Sequence, residues 1–173
     1  MPLPVEPTFT AGVVATAAQL NQAVQVSDFL LRTKPLAKMR QVTTTTALPA
    51  TTDTAVVFDG TDVDTDGGLS HTAANDRYIC RTAGWYTVHA NVCFSPGVNA
   101  DYAIVLTVNG TDQQGVTSLH ACTTFATSLP LSKNVHMNVN DYLQVKANTT
   151  VATNTFINPG NTSTCDIYFN LQG

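Results

Sequence analysis

Residues 76–94 read DRYICRTAGWYTVHANVCF, and the fold turns on how this stretch is parsed. Ala83-Gly84 is a corner, because glycine adopts backbone angles closed to other residues, and a strand runs on from it. Side chains alternate across a strand, so Tyr86, Val88, Ala90, Val92 and Phe94 share one face, and Trp85, Thr87, His89, Asn91 and Cys93 share the other. The first face is apolar and predicts a sandwich core. The second is mixed rather than charged, and predicts a neighbouring subunit rather than bulk water.

Working outward, the same grammar of short strand and turn repeats. Strands are expected at 38–42, 55–58, 77–80, 102–108, 135–139, 142–147 and 165–171, with Tyr102, Ile104, Leu106 and Val108 sharing one face of theirs. Asn109-Gly110 is a two-residue hairpin signal, since both positions accept positive φ. Asn140-Asp141 turns the next pair of strands. Residues 59–76 read as a long loop with a brief strand near Leu69. Residues 116–130 leave room for one strand, and 148–163 form a polar loop with a weak strand near 155–157. No alternation of strand and helix is present, which excludes doubly wound and TIM-type folds.

Composition agrees. The 173 residues include 28 threonines, a single glutamate at Glu6, and only 12% charged side chains, which favours sheet over helix. The length suits one domain with a short appendage. That appendage is residues 1–34, ahead of a sheet domain at 35–173. Residues 1–15 form an extended arm, Thr16 and Gln19 a capping box, and a helix runs to about Leu31, where Lys34-Pro35 stops it. Leu20, Ala23, Val24, Val26, Leu30 and Leu31 line its apolar stripe. A helix this short needs a packing partner, so Leu20, Val24, Phe29, Leu30 and Leu31 are expected to anchor the domain to another protein or to copies of itself. Removing 1–34 is expected to leave the sheet domain folded.

The net charge of −4 and the lack of aromatic residues among Arg32, Lys34, Lys38 and Arg40 argue against a nucleic-acid partner. No run of about 18 apolar residues predicts membrane insertion. The opening MPLPVEPTF lacks the pattern of a signal peptide, which predicts synthesis in a reducing cytosol. Cys80, Cys93, Cys122 and Cys165 are too irregularly spaced for zinc. A Cys80–Cys93 bridge is open on position, and the compartment favours free, half-buried thiols.

The order of pieces resembles a known family. Val56-Val-Phe58-Asp, the Gly84-Trp-Tyr86 corner, the strand ending in Asn109-Gly110, the Asn140-Asp141 turn and the closing Ile167-Tyr-Phe169 strand are similar to the tumour-necrosis-factor and complement-q-type jelly roll. The likeness covers about residues 36–171, and departs at Trp85 and at Asn140, where glycine is usual. Phe9-Thr-Ala-Gly12, Thr16-Ala-Ala-Gln-Leu-Asn21, Phe29-Leu-Leu31, Lys34-Pro35 and Asn75-Asp76-Arg77 resemble small virion proteins of tailed phages, of the head-fibre or minor-tail type. Both resemblances imply an all-β, TNF-like jelly-roll sandwich that forms a homotrimer with one sheet facing the threefold axis. Trp85, Thr87, His89, Tyr142, Gln144 and Tyr168 would then face the neighbours.

Candidate chemistry is sparse. Asp62-Val-Asp64-Thr-Asp66-Gly67 fits the start of a calcium loop, with alternate carboxylates converging on a hard cation. The twelfth position is Ala73 rather than glutamate, which favours a turn whose aspartates cap its own amides. His71, His89, His120 and His136 show no ligand spacing, although three copies of His89 could meet on a threefold axis. No nucleophile elbow, phosphate loop or zinc-protease motif is present, and no carboxylate pair is set for glycoside hydrolysis. The expectation is therefore a protein that is not an enzyme, and the resemblance implies a virion protein. It would form a trimer on the capsid or tail, attach through 1–34 to other virion proteins, and meet a host glycan or protein. The alternative is a soluble lectin-like or calcium-assisted ligand-binding module.

Overall fold

The computed structural model describes residues 4–69, 76–113, 115–122, 125–158 and 160–170. The chain opens with α1 (Ala17–Asp28), which widens into a π-helical turn (Phe29–Thr33). The strands are β1 (Leu36–Arg40), β2 (Ala47–Leu48), β3 (Thr54–Ala55), β4 (Gly60–Asp64), β5 (Tyr78–Ile79), β6 (Gly84–Phe94) and β7 (Asn99–Val108), followed by β8 (Thr111–Asp112), β9 (Thr117–Cys122), β10 (Thr127–Met137), β11 (Tyr142–Thr149), β12 (Thr153–Asn154) and β13 (Thr164–Asn170). They build one sheet in the order β10-β6-β13-β1-β4 and a second in the order β3-β11-β7-β8, with β5 also on β11 and β9 on β7. The long strands β6, β7, β10, β11 and β13 alternate between the two sheets. That crossing, with antiparallel pairing throughout, is the jelly roll the sequence predicts.

The core lies between the sheets. Tyr86, Val88, Ala90, Val92 and Phe94 are all buried, as the pleat of β6 requires, against Tyr102, Ile104 and Leu106 of β7 and Leu143, Val145 and Ala147 of β11. Tyr86 meets Phe169 edge-on at 5.3 Å, and Phe94 meets Tyr102 at 4.6 Å. The buried tyrosines keep their hydroxyls bonded: Tyr86 donates to the Thr82 carbonyl at 2.5 Å, Tyr102 to Val98 at 3.0 Å and Tyr78 to Asp66 at 2.7 Å. Gly84 permits this packing, since a Cβ there would stand 2.6 Å from the Phe169 ring. Asn109 (φ 52°) and Gly110 (φ 77°) make the hairpin turn after β7. Asn140 takes φ 72°, which explains how it stands where the resembled family has glycine.

The structure differs from expectation in four places. The loop 59–76 contributes a strand, β4, paired with β1 at the edge of the first sheet; aspartates depress strand propensity, but here Asp62 finds Arg40 across the pair at 2.8 Å. Residues 116–130 hold β9 and the start of β10 rather than one strand, and Pro130 sits inside β10. That strand is the sheet's edge, where a missing N–H costs nothing. The strand expected at 55–58 is reduced to β3, continued by a single bond from the Val56 N–H to the Val145 carbonyl at 2.9 Å. Finally Phe29, assigned to the anchor, is 3% exposed and packs edge-on against Phe169 at 5.8 Å. The widened turn swings its ring into the jelly roll, so the boundary at 34/35 cuts through the core cluster.

Candidate subunit interface

The outer face of the first sheet is a ladder set by register. His136, Trp85 and Asn170 stand in one row; Asn134, Thr87, Tyr168 and Leu36 in the next; then Ser132, His89, Asp166 and Lys38; then Pro130, Asn91, Thr164 and Arg40. Thr87 donates to Asn134 at 2.7 Å and accepts from the Asn170 amide at 2.7 Å. Lys38 pairs with Asp166 at 3.4 Å and lies over the Tyr168 ring, whose hydroxyl bonds the same carboxylate at 3.1 Å. Tyr168 and Asp166 together hold the Lys38 ammonium above its ordinary pKa. His89 meets Tyr168 at 5.9 Å and Trp85 meets His136 at 5.5 Å. A hollow of about 440 Å³ opens beside this aromatic row, lined by His89, Asn91, Pro130, Ser132, Thr164 and Asp166.

The chemistry of this face is distinctive. Its charges are paired with one another, Thr87, Asn134 and Asn170 bond one another along their rows, and its largest side chain, Trp85, remains 39% exposed. Desolvating such a face leaves no charge without its mate, which is the main obstacle to burying polar surface. Of the sequence-assigned interface residues, Trp85, Thr87, His89 and Tyr168 come together here. Asn134, Asn170, Lys38 and Asp166, which the sequence did not single out, complete the ladder. They become visible only through cross-strand register.

Tyr142 and Gln144 lie elsewhere, on β11 of the second sheet. Arg77 covers the Tyr142 ring at 4.7 Å, and Gln144 donates to Asp76 at 2.5 Å. Asp76 is clamped by Arg77 at 2.8 and 3.1 Å. Burial pushes that carboxyl up, but the Arg77 pair and the Gln144 bond outweigh it, and the net shift is downward. Alternation along β11 points Leu143, Val145 and Ala147 into the core and turns Tyr142 and Gln144 away from it. It does not say which sheet carries them.

The three loop aspartates point to separate partners. Asp62 bonds Arg40; Asp64 accepts from the amides of Gly67, Gly68 and Leu69 at 3.0–3.1 Å; Asp66 accepts from Tyr78. Burial, and then the charge of Asp64, raise the Asp66 carboxyl, although Tyr78 opposes this. Among the described residues no three histidine, cysteine or acidic side chains converge. A fourth aspartate, Asp59, gathers the neighbouring turn: its carboxylate accepts from the amides of Val42, Thr43 and Thr44 at 2.6, 2.9 and 2.9 Å. Burial raises that carboxyl, yet these bonds and the Thr43 hydroxyl drive it far below the ordinary range. Cys80, Cys93 and Cys165 are free, buried thiols, so Cys80 and Cys93 are not bridged. His71, Ala73, Asn75 and Leu171 lie outside the described residues, as do the side chains of His120 and Cys122.

At the N-terminus the capping box forms as expected: the Thr16 hydroxyl accepts from the Gln19 N–H at 3.2 Å and Gln19 accepts from the Thr16 N–H at 2.8 Å. No residue of α1 is buried. Leu20, Val24, Leu30 and Leu31 are exposed. No described helix is long and apolar enough to cross a membrane.

No protein-family model matches this sequence, and no curated protein is similar to it. Solved structures do match. The globular domain of zebrafish complement 1qA superposes with a TM-score of 0.62 at 8% identity, over 81% of this chain and 100% of that one. Murine APRIL gives 0.56 at 15% identity, over 78% and 98%. The Eiger TNF of S. frugiperda gives 0.55 at 13% identity, over 81% and 96%. The fold is a jelly roll of the tumour-necrosis-factor and complement-q type.

Proposed function

We propose that this chain is a homotrimeric structural protein of a tailed-phage virion, assembled in the host cytoplasm and carried on the capsid or tail. The outer face of the first sheet forms the threefold contact, and the segment ahead of β1 joins the trimer to other virion proteins. The loops at the far pole are left to meet a host glycan or protein. The observation that carries the trimer is the self-paired ladder around exposed Trp85: a large aromatic set among polar groups that already satisfy one another. The resembled families use a sheet of this kind in trimers, and the phage assignment is supported by the likeness of the N-terminal sequence. The protein's role is geometric: interlocked sheets present three arms on one side and three sets of polar loops on the other.

The test is molar mass by light scattering. Wild type is expected at three protomers, and Trp85→Arg, which places three unpaired cations in the contact, at one protomer with an unchanged fold. A monomeric wild type would sink the proposal. Phage carrying the chain without residues 1–28 are expected to assemble without incorporating it; normal incorporation would reject the N-terminal attachment.

A further inference from the structure

Asn109-Gly110 is the single Asn-Gly pair in the sequence. In such a pair the glycine nitrogen, unshielded by a side chain, can attack the asparagine carboxamide. The N–Cγ bond forms, the Cγ–Nδ2 bond breaks, ammonia leaves with the amide proton, and water opens the resulting ring to aspartate or isoaspartate. The turn that selects Asn and Gly for their positive φ therefore also installs a labile site. Here the carboxamide is held at both ends by the neighbouring turn. Its Nδ2 donates to the Asp141 carboxylate at 2.7 Å, and its Oδ1 accepts from the Tyr142 N–H at 3.0 Å. The Asn109 N–H also donates to the Tyr142 carbonyl at 2.9 Å, so three bonds tie this residue to the start of β11. Asp141 is fixed in its turn. Its other carboxylate oxygen accepts from the Asn138 N–H at 2.7 Å, its N–H donates to the Asn138 carbonyl at 3.0 Å, and its carbonyl accepts from the Cys80 N–H at 2.8 Å.

We propose that Asn109 is a latent deamidation site that the fold keeps shut through Asp141 and Tyr142. For cyclisation its Cγ must swing onto the Gly110 nitrogen, which releases both side-chain bonds. One of these is made to a carboxylate and is the stronger for it. The Asn109 amide, and then the Asn138 N–H, hold the Asp141 carboxyl below its ordinary range, so it stays ionised at neutral pH and has no proton to give the departing ammonia. The lock is also what the reaction destroys. Deamidation replaces the Nδ2 donor with a carboxylate oxygen facing Asp141, and two like charges at hydrogen-bond distance repel. The hairpin of β7 and β8 then comes away from the turn between β10 and β11, at a joint made by residues distant in the chain. All of these groups belong to one protomer, so the lock is independent of the trimer proposed above.

The experiment is peptide mass spectrometry on the full chain after incubation in mildly alkaline buffer, measuring aspartate and isoaspartate formed from Asn109. Folded wild type is expected to deamidate at least about tenfold more slowly than the same chain in urea, because the joint must open before attack. Equal rates overturn the proposal. So does a faster folded chain, which is the result if the Tyr142 N–H promotes attack by polarising the carboxamide. A second arm reads stability. Asn109→Asp is expected to lower the thermal midpoint at neutral pH, and Asn109→Asp/Asp141→Asn, which exchanges donor and acceptor, to restore it. A double variant no more stable than the single one overturns the part assigned to Asp141.

Discussion

Trp85 and Tyr86 are adjacent and do opposite work. Tyr86 fills the core against Phe169 and Tyr78, so Tyr86→Ala is expected to cost about 3–5 kcal/mol in a denaturant titration. Tyr86→Phe, which loses the bond to the Thr82 carbonyl and the weaker one accepted from the Cys80 thiol, should cost about 1 kcal/mol. Trp85→Ala should change monomer stability little and remove the trimer. Asp59 gives a pH signature. Its folded pKa lies below that of an ordinary aspartate, about 3.9, so its contribution is complete above that value and is lost as pH falls below it. The thermal midpoint of Asp59→Asn should therefore lie below wild type at pH 7, and the gap should close on acidification below about pH 4. A gap constant from pH 7 to 2 would show that the carboxylate's charge is not what holds residues 42–44. Asp66 has the opposite sign, since a raised carboxyl costs stability when ionised.

At the scale of elements, the N-terminal segment divides at Phe29. Deleting residues 1–28 is expected to leave the jelly roll folded with a midpoint near wild type. Deleting 1–34, which the sequence alone would treat as equally harmless, removes an aromatic ring from the core and should cost about 3–5 kcal/mol. Phe29→Ala in the full chain should reproduce that loss; a neutral result would mean that the Phe29–Phe169 contact contributes nothing. The capping box was legible because it is local: Thr16 and Gln19 are three residues apart, and their mutual bonds follow from helix geometry. The widened turn was not, because Phe29 is drawn inward by Phe169, distant in sequence.

For the whole molecule, assembly and fold should come apart. Trp85→Arg is expected to give a monomer whose far-UV circular dichroism matches the wild-type jelly roll, since the indole lies outside the core cluster. Adding or chelating calcium is expected to leave the thermal midpoint in place, because Asp62, Asp64 and Asp66 already hold Arg40, three loop amides and Tyr78. A chelator-sensitive midpoint abolished by Asp64→Ala would favour a calcium-assisted binding module instead.

Legible in the sequence were the core faces of β6 and β7 and the succession of short strands and turns, whose resemblance to a known family implied the jelly roll. A period-two pattern is written residue by residue, and burial enforces it. The Asn109-Gly110 and Asn140-Asp141 turns were equally readable, since positive φ selects residue type directly. The folded chain alone sorts the strands into sheets. It therefore placed Tyr142 and Gln144 away from Trp85, joined β4 to the edge, and set Lys38, Asp166, Asn134 and Asn170 beside the aromatic row. Those neighbours are fixed by hydrogen-bonded register between strands distant in the chain, and a side chain's alternation carries no record of it.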